Sequence, residues 1–114
     1  MKLPSLFSAL ALLTFSAALL GPVRAEGSEL KILKFEADWC GACQKMKPVF
    51  SSVAGSESGV SFRTVNVDRQ SDLAERYGVE ALPTVVALKD GREVGRLIGF
   101  QNAAKLRSFV QRHR

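Results

Sequence analysis

The sequence predicts one α/β domain of order β-α-β-α-β-β-α, with a four-stranded mixed sheet covered by helices on both faces. Three observations carry that expectation. From Glu26 onward, strand-like alternation and helix-like spacing of apolar residues take turns along the chain. Asp90-Gly91, between two β-rich runs, is a strong hairpin signal near the carboxyl terminus. Alternating strands and helices followed by a hairpin imply a sheet that is parallel first and antiparallel at its end.

Each element has its own warrant. After the polar leader Glu26 to Glu29, Leu30 to Ala37 reads as a strand, with Leu33 and Phe35 on one face and Ile32, Lys34 and Glu36 on the other. Cys40 to Ala54 reads as a helix, because Met46, Val49, Phe50 and Val53 recur at spacings of three and four, and Gly55 to Gly59 ends it. Ser61 to Val67 is rich in β-branched residues and reads as the second strand. Ser71 to Tyr77 is a short helix with the stripe Leu73, Ala74 and Tyr77, stopped by Gly78. Thr84 to Lys89 and Glu93 to Ile98 form the hairpin, whose loop is allowed to extend to Arg92. Asn102 is placed to cap a last helix with Ala103, Leu106, Phe109 and Val110 on its apolar side.

The first 25 residues have a different character. Lys2 supplies a positive start, Leu6 to Leu20 carries no charge, Gly21-Pro22 breaks the run, and Val23-Arg24-Ala25 offers small residues for cleavage. Residues 1–25 therefore read as a secretory signal peptide, with residues 26–114 as the domain it exports. The competing reading is an uncleaved membrane anchor, since Leu3 to Val23 is long enough to cross a bilayer. Either reading places the domain outside the cytoplasm, periplasmic or secreted. The 114 residues hold 16 Lys+Arg against 11 Asp+Glu. Loss of Lys2 and Arg24 leaves a charge of +3, with no basic run and no interleaved aromatics, so nucleic acid is not an expected partner.

The chemistry is expected at Trp39-Cys40-Gly41-Ala42-Cys43. Two thiols separated by two residues at a helix start can close a local disulfide. The helix dipole and nearby N–H groups favour a thiolate at the first of them, which makes Cys40 the better nucleophile. Cys43, one turn further in, is placed to resolve a mixed disulfide, and Gly41 keeps the approach open. Other chemistries fit less well. A purely structural disulfide closing so short a loop would stabilise a fold little. Zinc lacks a second ligand pair, because His113 is the one histidine. Copper(I) could take two thiolates, with Met46 as a soft third ligand, although a methionine at helical core spacing is more often packing. No metal site is expected.

These residues resemble the thioredoxin family. Phe35-Glu-Ala-Asp-Trp-Cys-Gly-Ala-Cys43 is similar to the family's active-site segment, with Ala42 where thioredoxin itself has Pro. Pro48 matches a proline inside the helix after the cysteines, and Asn66-Val67-Asp68 the end of the next strand. Tyr77-Gly78-Val79 and Ala81-Leu82-Pro83-Thr84 resemble the segment that carries a cis proline opposite the cysteines. Lys89-Asp90-Gly91 and Gly99 match the hairpin and the glycine after it. The likeness covers nearly all of residues 30–112.

The resemblance implies a thioredoxin-like fold, trimmed because the leader before Leu30 is too short for the family's usual first strand and helix. It implies an enzyme, a protein-disulfide oxidoreductase needing no cofactor beyond its redox-active Cys40–Cys43 pair and acting as a monomer. The favoured direction is reduction of disulfides in exported proteins, with electrons from a membrane partner; a disulfide oxidase or isomerase, or a copper-handling protein of this fold, is the alternative. Substrate would lie beside Trp39 and Pro83, against the backbone of Leu82, with a cis Leu82–Pro83 bond. One departure concerns protons. Where the family has a buried Asp, with a Lys on the following strand, this chain has Lys34 and Thr64. Lys34 and Glu36 are expected either to lie partly buried beneath Cys43, handling protons during exchange, or to reach the surface as a solvated pair.

Overall fold

The computed structural model describes residues 29–114, in which β1 (Leu30–Glu36) runs through the interior of a four-stranded sheet. It is followed by α1 (Gly41–Ser56), β2 (Ser61–Asn66), α2 (Ser71–Arg76), β3 (Thr84–Lys89), β4 (Arg92–Ile98) and α3 (Ala103–His113). The strand order is β2-β1-β3-β4. β1 pairs in parallel with β2 and antiparallel with β3, and β3 is antiparallel to β4. Parallel pairing needs a crossover, which α1 supplies, whereas the last two strands need only a tight turn. The expected signal peptide lies outside the described residues.

β1 divides the core by its alternation. Ile32 faces α1 and α3, in a cluster with Met46, Phe50, Val53, Val85, Leu106 and Phe109. Leu33 and Phe35 face the opposite way, packing with Val65, Val86 and Leu88 against Leu73 of α2 and Tyr77 just after it. Helices thus cover both faces, and each fully buried aliphatic side chain in these clusters contributes about 1.5–3 kcal/mol.

The local rules hold at the element ends. Asn102 Oδ1 accepts the Lys105 N–H at 2.8 Å, capping α3. Gly78 ends α2 with φ +59°, the left-handed conformation that glycine adopts without a Cβ clash. Asp90 and Gly91 have φ of +55° and +80° and form a two-residue turn, so Lys89 pairs directly with Arg92 and the loop does not extend to it. Within β4 the register slips: Ala87 pairs with Gly95 and Leu88 with Glu93, leaving Val94 as the extra residue of a bulge on this edge strand. Pro48 lies inside α1 and has no N–H to return to the Gln44 carbonyl.

Candidate active site

One edge of the sheet gathers four connections. β1 and β2 are parallel and both end there, with Glu36 opposite Asn66. β3 runs the other way, so its start at Thr84 lies at the same edge, and β4 returns to it at Ile98. Residues 37–40, 67–70, 77–83 and 99–100 therefore meet beyond the carboxyl end of β1, the position where open α/β sheets place their sites. Two backbone bonds fasten the junction, from Val67 N–H to the Glu36 carbonyl at 2.9 Å and from Gly99 N–H to the Pro83 carbonyl at 2.8 Å.

Cys40 is the N-cap of α1, and it is joined to Cys43 as a disulfide with the Cα atoms 5.2 Å apart. The Cys43 N–H donates to the Cys40 Sγ at 3.1 Å. That bond and the positive end of the helix dipole both favour negative charge on the first sulfur. Access differs in the same sense, since Cys40 retains 8% exposure and Cys43 none. Ala37, Val67 and Leu82 pack around the pair.

A groove of about 290 Å³ opens at Cys40. Trp39 and Leu82 line it, as do Val67, Ala74 and Val79, with Glu80 and Ala81 completing the wall. Trp39 is 72% exposed and is steadied by its indole Nε1–H, which donates to Asp68 Oδ2 at 3.0 Å. Asp38 holds the same loop from its other side by accepting from Asn66 and Arg69, both at 3.3 Å. The Leu82–Pro83 peptide bond is cis. Among the described residues, no intramolecular hydrogen bond engages the N–H or C=O of Leu82.

The structure redistributes some of the roles expected from sequence. Trp39 and Leu82 do line the groove, but Pro83 is buried behind it, and Gly41 and Ala42 are exposed without lining it. A Cβ built on Gly41 meets nothing within 4 Å, so no neighbouring atom requires glycine there. Met46 is fully buried in the core cluster and His113 meets the Phe109 ring edge to face in α3, so neither joins the cysteines in a ligand set. Among the described residues, no three His, Cys, Asp or Glu side chains gather as a metal site. The groove residues Val67, Ala74, Val79 and Glu80 were not foreseen; Ala74 reads from its spacing as core, and the others lie in connections whose course depends on the fold.

Lys34 and Glu36 are both inside the protein. Lys34 is 1% exposed, so the solvated surface pair is not what forms. Its Nζ lies 2.8 Å from Glu36 Oε1 and 4.8 Å from the centre of the Phe50 ring. The contact with Oε1 is an ion pair without the angles of a hydrogen bond. Glu36 Oε2 accepts a directed bond from Lys47 at 3.1 Å, and Lys47 is half-exposed. Burial pushes the Glu36 carboxyl up, but the Lys34 and Lys47 ammonium groups outweigh it and hold the pKa below the usual carboxylate range. Lys47 sits one turn along α1 from Cys43, which places the carboxylate beneath the same stretch of helix.

A cysteine pair at a helix N-terminus, beside a groove and on this sheet, defines a thiol–disulfide oxidoreductase that works through its own sulfurs and needs no other cofactor. The comparisons agree on the lineage. The thioredoxin family profile matches residues 13–112. A thioredoxin of Mycoplasma pneumoniae is 41% identical over 91 residues, covering 80% of this chain and 88% of that protein. Rice thioredoxin H2-1 is 43% identical over 72 residues, which is 63% of this chain but 52% of that longer protein. Among solved structures, the thioredoxin of Fasciola hepatica superposes with a TM-score of 0.71 at 40% identity, covering 75% of this chain and 82% of that one. The chain belongs to the thioredoxin family.

Proposed function

We propose that this protein reduces disulfides in exported proteins, outside the cytoplasm, with Cys40 as nucleophile and Cys43 as resolving thiol. The observation that carries the reading is the asymmetry of the pair, in which Cys40 is capped by an N–H at the mouth of the groove and Cys43 is sealed behind it. In the first step the Cys40 thiolate attacks one sulfur of a substrate disulfide, forming a mixed disulfide and releasing the other substrate sulfur as a thiolate. Cys43 then loses its proton and attacks Cys40 Sγ, which releases the second substrate thiol and leaves the Cys40–Cys43 disulfide. Two electrons pass to the substrate, and a membrane-borne donor restores the dithiol.

An extended substrate pairs with the free N–H and C=O of Leu82, in the manner of an added strand, and rests on Trp39. Glu36, linked to solvent through half-exposed Lys47, is the route by which the Cys43 proton leaves, with Lys34 holding that carboxylate in place. Export is supported by the charged start, apolar run and small-residue site of residues 1–25. Reduction is supported by the likeness of Gly41-Ala42 and its flanks to reducing members of the family.

Cys43→Ser tests the roles. It is expected to accumulate mixed disulfides through Cys40, resolved on non-reducing gels and by mass spectrometry of the linked peptides. Faster alkylation of Cys43 than of Cys40 in the reduced wild-type protein would reverse the assignment. An equilibrium potential against glutathione near the strong oxidants would reverse the direction.

A further inference from the structure

Resting on that exchange reading, we propose that Glu80 makes the groove select protein disulfides whose half-cystine is flanked by a basic residue. Apart from Cys40 itself, Glu80 is the one ionisable residue among those that line the groove, whose other walls are apolar. It is exposed, and no ion pair among the described residues involves it. A carboxylate without an ion-pair partner therefore belongs to a residue of an otherwise apolar lining, within reach of a basic side chain that enters. The surrounding sequence reinforces its sign. Asp68 to Glu80 carries Asp68, Asp72, Glu75 and Glu80 against Arg69 and Arg76, and Arg69 is already committed to Asp38. This negative stretch stands in a chain whose formal charge is +5, so the site opposes the balance of the molecule.

Register decides which substrate residue meets Glu80. A segment paired with Leu82 and advancing at about 3.3 Å per residue passes Ala81 and reaches Glu80 within one or two positions of its cysteine. An Arg or Lys there lays its methylene stem along the apolar wall and its charge beside the carboxylate. An acidic residue there meets repulsion in the same place.

The test uses the reduced full-length protein in single-turnover reactions with three peptides. Each carries one cysteine disulfide-bonded to a chromophoric thiol, and they differ only in having Arg, Gln or Glu two positions from it. The wild-type second-order rate constant is expected to favour the Arg over the Glu peptide by roughly three- to tenfold at low salt, the range of one exposed ion pair replaced by one repulsion. The preference should shrink in high salt as the charges are screened. Glu80→Gln should lower the ratio toward one, leaving what the neighbouring acidic residues supply, and Glu80→Lys should lower it further; each ratio is internal to one protein, so general loss of activity cancels. Equal rates on the Arg and Glu peptides, or a ratio unmoved by Glu80→Lys, overturns the assignment. Reduction of a small aromatic disulfide but of none of the peptides overturns the groove's part alone. Failure on the small disulfide as well overturns the exchange reading itself.

Discussion

Removing either member of the Lys34–Glu36 pair should have unequal consequences, and the inequality follows from who else holds the survivor. In Lys34→Met the stem still fills its place beside Phe50, and Glu36 keeps Lys47 at 3.1 Å. One buried ion disappears along with its desolvation cost, so the change in stability should stay within about 1 kcal/mol. In Glu36→Gln the 1%-exposed Lys34 ammonium loses its only carboxylate among the described residues, and Lys47 swings free into water. Stranding a buried charge costs about 3 kcal/mol even with an amide oxygen left as acceptor. Urea denaturation of the oxidised protein at neutral pH should read this as a midpoint roughly 2–3 M lower for Glu36→Gln and nearly unchanged for Lys34→Met. The gap between wild type and Glu36→Gln should narrow in acid. Because the folded Glu36 pKa lies below its unfolded value, the unfolded chain takes up the proton first, and the carboxylate's contribution is lost as pH falls through the folded pKa. The same variants should move the cysteine titration of the reduced protein in opposite directions. Lys34→Met takes the cluster from one net positive charge to none and raises the thiol pKa values, whereas Glu36→Gln adds positive charge and lowers them. A Lys34→Met protein as unstable as Glu36→Gln, or thiols that shift the same way in both, would refute the reasoning.

Two further substitutions probe the frame around the site. A Cβ on Gly95 would stand 2.6 Å from His113 Nε2 and 3.2 Å from Phe109 Cε1, so Gly95→Ala should cost about 1–2 kcal/mol in thermal unfolding, and His113→Ala should recover most of it. Asn102→Ala removes the side chain that accepts the Lys105 N–H and should cost about 1 kcal/mol by urea denaturation, without changing the rate of disulfide exchange.

Where the sequence was legible, short-range chemistry was deciding the outcome. The alternation in Leu30 to Glu36, the glycines at 78 and 91 and the cap at Asn102 each act within a few residues, and the elements they define form within one or two positions of the expected ends. The cysteine pair is legible for the same reason, since its loop is closed by one helical turn. Long-range pairings were not. Trp39 meets Asp68 from 29 residues away, and that contact depends on two strands ending at one edge. Lys34 reads either as partly buried or as a surface residue, because a lysine on a strand usually reaches water and its own neighbours in sequence do not decide between the two. What keeps it inside is the ring of Phe50 on another element and a carboxylate that a second lysine shares. The bulge at Val94 has one local marker, the isolated Gly95 beside it, but that glycine does not say which neighbour is the extra residue.

The two sides of β1 give the site two separable supports. Leu33 and Phe35 lead through Leu73 and Tyr77 to α2, whose Ala74 lines the groove, and no charged side chain belongs to that cluster. Ile32 leads through Met46 and Phe50 to α1, which carries the cysteines, but at its site end this path passes through Lys34, Glu36 and Lys47. Apolar packing has no sign and holds its shape across pH, so the α2 side gives the groove on which Glu80 stands a wall that does not change with protonation. A charged cluster responds to protons and salt, so the α1 side is the one whose substitution is expected to move the thiol titration. The groove wall and the buried charges under α1 thus rest on opposite faces of one strand, and a change to either can be made without rebuilding the other.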